Sequence, residues 1–458
     1  MNRTTTKEAA LLSLDELAAR FAAAARALWP EAEPVVQFEP ARRAEFGDVA
    51  TNVAFGLARI ARKKPQEIAA EIVARAMEDE GVRATVAEAT PLAGFVNLKL
   101  RPAFWQRIVA DVLREGGDYG KAPPTGERIS LEFGSANPTG PLAVVQGRAL
   151  SIGDTLANAL RHQGYGVFAE WIINDAGNQV RQFGLSILAR YRQLFDPSFP
   201  QPADGYAGEY VVEIARALRE RDGDRWLNEP EDEAATTAGR FGIAMMVAEQ
   251  QADARAFRVR YDLWQSEQEL HDAGTIRDGV ERMRRLGRLY EKDGATWLRT
   301  IDSGDDQDRV VIRRDGVPTY LANDIAYHYE KLQRGDRVID ILGPDHHGYI
   351  GRLNALADAY GRPGAIEVII AQQVTLKRGS EEVKMSKRAG AIVMLREVID
   401  EVGVDAARFF FLIPSVESPL TFDLALAKEQ SDENPVYYVQ YGHARIASLI
   451  AHARSNPA

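Results

Sequence analysis

Lys384-Met-Ser-Lys387 sets two ammonium groups around a hydroxyl, in what reads as a loop after a strand at 366–374. Such a pair can neutralise a triphosphate as its charge redistributes in a transition state. Clustered lysines are more commonly a solvated surface, and four residues alone decide little. Gly343-Pro-Asp-His-His-Gly-Tyr349 places two adjacent histidines in a Gly-bounded turn. It follows a strand, and open α/β sheets take ligands at the carboxyl ends of their strands. Asp345 can also serve there as a simple helix cap. Tyr320 and Asp324 are four residues apart, which on a helix puts hydroxyl and carboxylate on one face. A carboxylate can take a guanidinium bidentately, or it can merely complement a helix N-terminus. A strand ending at Phe133 leads through Ser135-Ala-Asn-Pro-Thr-Gly-Pro141 into a helix near Gly147. Unpaired N–H groups at such a helix start bind phosphate, although most joints of this kind are only structural.

The elements that must hold these groups follow from periodicity and punctuation. A first segment, 12–115, opens with Ser13 as a cap before an amphipathic helix. It continues with helical patterns at 49–62 and 65–77, the second opened by Pro65. Short strands at 82–88 and 94–100 make it a small α+β domain. Gly120-Lys-Ala-Pro-Pro-Thr-Gly126 is a linker by its Pro and Gly content. After it come a strand at 128–133, a helix to 163, a strand at 167–173 and a helix from 174. This spacing predicts a parallel α/β sheet. Prolines cluster at 195–204, and the helical, charged stretch 208–298 reads as an insertion. Strands at 309–313, 338–342 and 366–374, with helices at 322–333 and 346–360, then resume the sheet. From 395 to the end the pattern is helical.

The chain has 458 residues, a prior for two to four domains. Its 45% hydrophobic content supplies core material. No apolar run approaches the ~20 residues of a membrane span, so no membrane partner is expected. The N-terminus carries no apolar run behind its charges, which speaks against a secretory signal. There is no cysteine, which removes disulfides, thiol nucleophiles and Cys-based zinc sites and fits a cytoplasmic protein. None of the seven histidines forms a His-Glu-x-x-His pair, so no protein-held metal is expected. A net charge of −10 argues against non-specific coating of nucleic acid. It leaves room for one structured RNA gripped through local basic patches.

Five ordered motifs carry a resemblance that covers nearly the whole chain. They are Glu132-Phe-Gly-Ser-Ala-Asn-Pro-Thr-Gly-Pro-Leu142, Trp171-Ile-Ile-Asn-Asp-Ala-Gly-Asn-Gln179, Gly343-Pro-Asp-His-His-Gly-Tyr349, Lys384-Met-Ser-Lys-Arg-Ala-Gly390 and Asn434-Pro-Val-Tyr-Tyr-Val-Gln-Tyr441. Together they resemble the bacterial arginyl-tRNA synthetases, which are class I enzymes. Gly47-Asp-Val-Ala-Thr-Asn52 and Gly94-Phe-Val-Asn97 are similar to the family's N-terminal RNA-contacting domain. The resemblance implies an α/β fold. A tRNA-contacting α+β domain would span 1–118. A Rossmann-type parallel-sheet catalytic domain would span 119–427, with a helical connective insertion at about 200–300 and a lysine loop at 383–390. Residues 428–458 would begin a helical anticodon-binding domain.

The same resemblance implies a monomer that uses L-arginine, ATP with Mg2+, and tRNA(Arg). Arginine would attack the α-phosphate of ATP, and the arginyl group would then pass to the tRNA. Tyr320 and Asp324 would read the guanidinium, and Asn137 with Glu132 would hold the amino-acid end. Lys384 and Lys387 would stabilise the phosphates, with Gln146 as a remaining donor. Ala143, Val145, Gly147, Gly343, His346, His347 and Ser386 would line the nucleotide.

Two departures qualify this. Where the family has His-x-Gly-His after the position of Leu142, this chain has Ala143-Val-Val-Gln146. Ala143 donates nothing, Val145 crowds the place of a glycine, and Gln146 donates without charge. A lost transition-state donor can cost about 100- to 1,000-fold in rate. The helix N–H groups and lysine loop remain, so ATP use is expected to survive. The chain also ends within the likeness to the helical domain, which reads as a truncation. Two other readings stay open: a non-catalytic relative that binds tRNA or arginine, and an enzyme activating another carboxylate on the same fold.

Overall fold

The structure is a computed structural model that describes residues 11–383 and 393–456. Among these residues no helix is long and apolar enough to cross a membrane. The chain divides into two compact units, residues 1–120 and 121–458.

In the first unit, Ser13 caps the helix Leu14–Leu28, and Glu16 returns the bond to the Ser13 backbone. A four-stranded antiparallel sheet runs in the order Glu39–Pro40, Val49–Thr51, Phe95–Leu100, Val86–Leu92. Phe21, Ile68, Ile72, Val96 and Leu98 are buried in its core. Two expectations need correction. Residues 82–85 are helical, because Asp79 accepts from the Val82 N–H at 3.0 Å and starts the turn Glu80–Thr85. The strand begins only at Val86. Val49–Thr51 is a strand paired to Phe95–Leu100, so the helix there starts at Val53.

The second unit is built on β1 (Arg128–Phe133), α1 (Val144–His162), β2 (Gly166–Ile173) and α2 (Asn178–Gln193). The helices α3 (Glu209–Asp222) and α4 (Glu231–Ala256) follow, then β3 (Leu263–Ser266). After a small antiparallel sheet come α5 (Tyr320–Arg334), β4 (Arg337–Leu342), α6 (Ile350–Ala359) and β5 (Ile366–Ile370). The main sheet has the order β5-β4-β1-β2-β3, and every pairing in it is parallel. This is the doubly wound order, with its switch point between β1 and β4.

Alternation along the strands separates two layers. Ile129, Leu131, Phe133, Ala169, Trp171, Ile339 and Ile341 pack on one side, around α1. Val338 and Ile366 face the other side, against α5 and α6.

Several elements depart from the sequence reading. β3 lies within the stretch read as a helical insertion. It is only four residues long, and its Trp264 stacks on Trp171 at 4.6 Å. The strand Arg309–Ile312 joins Ala295–Leu298 and Leu289–Lys292 in a separate antiparallel sheet rather than the main one. The strand read at 366–374 is two, β5 and β6 (Val374–Arg378). β6 pairs with Leu420–Asp423, which interrupts the helical C-terminal run. Around these lie α7 (Leu395–Val402), α8 (Val404–Leu412) and α9 (Pro435–Ser455).

Candidate active site

Three acidic residues stand in one row across the centre of the sheet. Asp340 on β4 is in register with Glu132 on β1, and Glu132 with Glu170 on β2. Adjacent like charges in a sheet repel, and α5 supplies the cations that cancel them. Lys331 lies between Glu132 and Asp340, at 2.6 Å from the latter. One turn further, Arg334 reaches Glu170 at 2.6 Å. His328 spans Asp340 through Nε2 and the Asp324 carbonyl through Nδ1, each at 2.9 Å.

Burial works to raise the Asp340 carboxyl, but Lys331 and His328 hold it well below the carboxylate range. Burial opposes the Lys331 charge, yet Asp340, Glu132 and Glu170 keep it protonated. For His328, burial and Lys331 oppose protonation, and Asp340 and Asp324 outweigh them. The Glu132 carboxylate is thus already used, by Lys331 and by the Ser135 hydroxyl at 2.8 Å. The structure places it in this buried network rather than free beside Asn137, whose side chain is exposed.

The loop after β1 begins at Gly134, where φ is +78° and a Cβ would lie 2.8 Å from Leu150. Only glycine fits both constraints. The Ser135 hydroxyl accepts from the Ile172 N–H at 3.1 Å. The carbonyls of the following turn are taken by the helical segment. Gln250 Nε2 donates to Asn137 O at 3.1 Å and Gly140 O at 2.8 Å. The Tyr210 hydroxyl donates to Thr139 O at 2.9 Å.

Asp324, in the second turn of α5, is half-buried, and burial pushes its carboxyl up against the pull of His328 and Lys331. Tyr320, at the start of α5, is 70% exposed. Glu267, just past β3, was not singled out in the sequence. It is buried and bonded by the Asn323 amide. Burial, with the charges of Asp175 and Asp324, pushes its carboxyl up to about 7. Asp175, past the end of β2, accepts from Ser266 Oγ at 2.7 Å and Gln268 N–H at 2.9 Å. These three carboxylates gather beside the carboxyl ends of β2 and β3 and suit a delocalised cation. Asp175 lies within the motif Trp171–Gln179, whereas Glu267 lies in the stretch that reads as an insertion.

On the other side of the switch point, α1 starts at Val144 with Ala143 as an uncapped N-cap. Val144 N–H is already given to Val393 O at 3.0 Å, and Gln146 N–H turns back to Ala143 O at 3.0 Å. The expectation that this helix start keeps its N–H groups free is therefore corrected at two positions. Leu395 N–H donates to Leu142 O at 2.8 Å, which ties the segment after the lysine loop to this helix. Val145 is 38% exposed. Gln146 Oε1 is buried with no partner among the described residues. Gly147 is buried, and a Cβ there would lie 2.8 Å from both Leu395 and Phe411. The lack of a side chain there lets α1 pack closely against these two residues.

Gly343 opens the short 3-10 turn Pro344–Tyr349 at the end of β4. The His346 ring lies 5.1 Å from that of Tyr349; His346 is half-buried and Asp345 exposed. Lys384, Ser386 and Lys387 lie outside the described residues. Their flanks do not: Val383 pairs with Leu376, and Val393 with α1. Among the described residues, no three His, Asp or Glu side chains form a metal-holding group.

Comparison with known proteins identifies the family. Residues 15–100 match the family model described as arginyl tRNA synthetase N terminal domain. Residues 228–410 match that for tRNA synthetases class I (R), catalytic domain. An arginine–tRNA ligase of Syntrophotalea carbinolica is 46% identical over 419 residues, 91% of this chain and 75% of that protein. One of Bacillus subtilis is 43% identical over 420 residues, 91% and 75% of the two chains. In fold, the arginyl-tRNA synthetase of Thermus thermophilus superposes with a TM-score of 0.75 at 21% identity, over 96% of this chain and 82% of that one. With its parallel sheet in doubly wound order and relatives this similar over nine-tenths of its length, the chain belongs to the arginyl-tRNA synthetase family.

Proposed function

We propose that this chain activates L-arginine with ATP and passes the arginyl group to tRNA(Arg), using the site at the β1/β4 switch point. The observation that carries the choice of amino acid is the buried Glu267 carboxylate, bonded by Asn323 next to Asp324 and flanked by Ser266 and Gln268, which both bond Asp175. A guanidinium stays charged at all working pH values and suits several carboxylates at once. Asp324 and Glu267 would take the guanidinium, with Tyr320 closing over it. Asn137 would hold the amino-acid end, and Glu132 would act through Ser135 and Lys331, not by direct contact.

In the first step an arginine carboxylate oxygen bonds to the α-phosphorus of ATP, and the bond to the bridging oxygen breaks. Arginyl-adenylate forms and pyrophosphate leaves. In the second step a ribose hydroxyl of the tRNA attacks the arginyl carbonyl, loses its proton, and AMP departs. Magnesium bound to the ATP phosphates would screen their charge. Lys384 and Lys387, with Ser386, would meet the charge that develops on pyrophosphate. Ala143 and Val145 would border the nucleotide, Gln146 would donate a neutral hydrogen bond, and Gly343 with His346 and His347 would bound it on the far side. The reading includes a monomer working in the cytoplasm.

Arginine-dependent ATP–pyrophosphate exchange, with tRNA(Arg) present, tests this reading. Exchange that requires arginine and is lost in Asp324→Ala supports it. Exchange driven equally by another amino acid would overturn the assignment of the acidic cluster.

A further inference from the structure

The loop that carries Asn137 does not hold its own shape. Three of its carbonyls, those of Asn137, Thr139 and Gly140, accept hydrogen bonds from Gln250 and Tyr210 on the helices α4 and α3. Gln250 is fully buried. Both its amide N–H groups point at carbonyl oxygens, which fixes the amide's orientation. Its Oε1 has no partner among the described residues. Packing alone would be served better by an apolar side chain, so the two carbonyl bonds are the reason for an amide here.

One turn along the same face of α4, Asp253 is 3% exposed and accepts from Arg396 Nε and Nη2 at 2.9 and 2.7 Å. Arg396 lies in α7, directly after the segment that pairs with the start of α1. α4 itself is held closely on α2, since a Cβ at Gly184 would lie 1.9 Å from Ala235 O.

We propose that Gln250 and Asp253 are positioning residues for the reaction. Through them, the last turns of α4 fix the amino-acid loop and the helix that follows the lysine loop in one register. The inference rests on the reading that Asn137 meets the amino-acid end of arginine.

The test uses the full chain with Gln250→Met, Asp253→Asn and Asn137→Ala. Gln250→Met keeps the volume and removes both donors. It should speed amide hydrogen exchange in 134–141 about tenfold and raise the arginine KM about tenfold, with the ATP KM and kcat within about twofold. Asp253→Asn should show the other pattern, with the arginine KM unchanged and kcat lowered about fivefold. Unchanged loop exchange in Gln250→Met overturns the proposal, and this is read on the folded protein without turnover. Equal rises in the arginine and ATP KM values also overturn it, since they report general loosening. If Asn137→Ala leaves the arginine KM unmoved while Gln250→Met loosens the loop, the functional reading of Asn137 fails and the anchor stands.

Discussion

Lys331 and Asp340 form an ion pair at 2.6 Å in which both side chains are buried, and the same ammonium also meets Glu132. The pair joins α5 to the two strands that flank the switch point. It sets the floor of the site from beneath, because Asp324 and His328 lie on the same helix.

Removing the cation leaves two buried carboxylates facing each other. Lys331→Met should cost about 3–5 kcal/mol of stability. Urea unfolding followed by circular dichroism checks this, and a loss under about 1 kcal/mol would contradict the buried pair.

Glu267 gives a pH dependence with a definite sign. Its carboxyl is raised from 4.5 to about 7 by burial and by Asp175 and Asp324. The folded protein thus holds that proton more tightly than the unfolded chain. The stability it contributes is present below about 4.5 and is lost as pH rises through about 7. A bound guanidinium favours the ionised form, so arginine affinity should strengthen as pH rises through the same value. Calorimetric titration between about pH 6 and 8 should show that trend, and Glu267→Gln should flatten it.

At the start of α1, Val145 is partly exposed and Gln146 carries no charge. Restoring the family's pattern there should help the first step. Gln146→His should raise the rate of ATP–pyrophosphate exchange by about tenfold or more. Val145→Gly should lower the ATP KM, at a cost of about 1 kcal/mol in helix stability. Steady-state exchange kinetics with thermal melts separate the two effects.

Gly147 is a packing position. An added methyl would meet Leu395 and Phe411 at 2.8 Å. Gly147→Ala should destabilise the second unit by about 1–3 kcal/mol, read as a lowered melting temperature.

The parallel sheet was legible because β1, β2 and β4 are short, mostly apolar runs with a glycine close to one or both ends. β3 was not, since four residues with charged neighbours carry too little periodicity. Glu267 was hidden with it. The motifs located the loop at 134–141 and the turn at 343–349, but not what holds them. Gln250 and Asp253 lie in a stretch whose pattern says only that it is helical and charged. Their partners, Asn137 and Arg396, are 113 and 143 residues away in the chain. Glu132 reads in sequence as an open carboxylate, and only the strand register shows that Lys331 has already claimed it.

The doubly wound order also governs how this chain is made. Arg128, at the start of β1, meets Asp336, at the entry to β4, across 208 residues. At about 5–20 residues per second, β1 waits roughly 10–40 s for that neighbour. During that interval one edge of the nascent sheet stays unpaired, with Glu132 on it lacking the lysine that neutralises it. The charge that must later be buried keeps the waiting edge hydrated and discourages pairing with another chain.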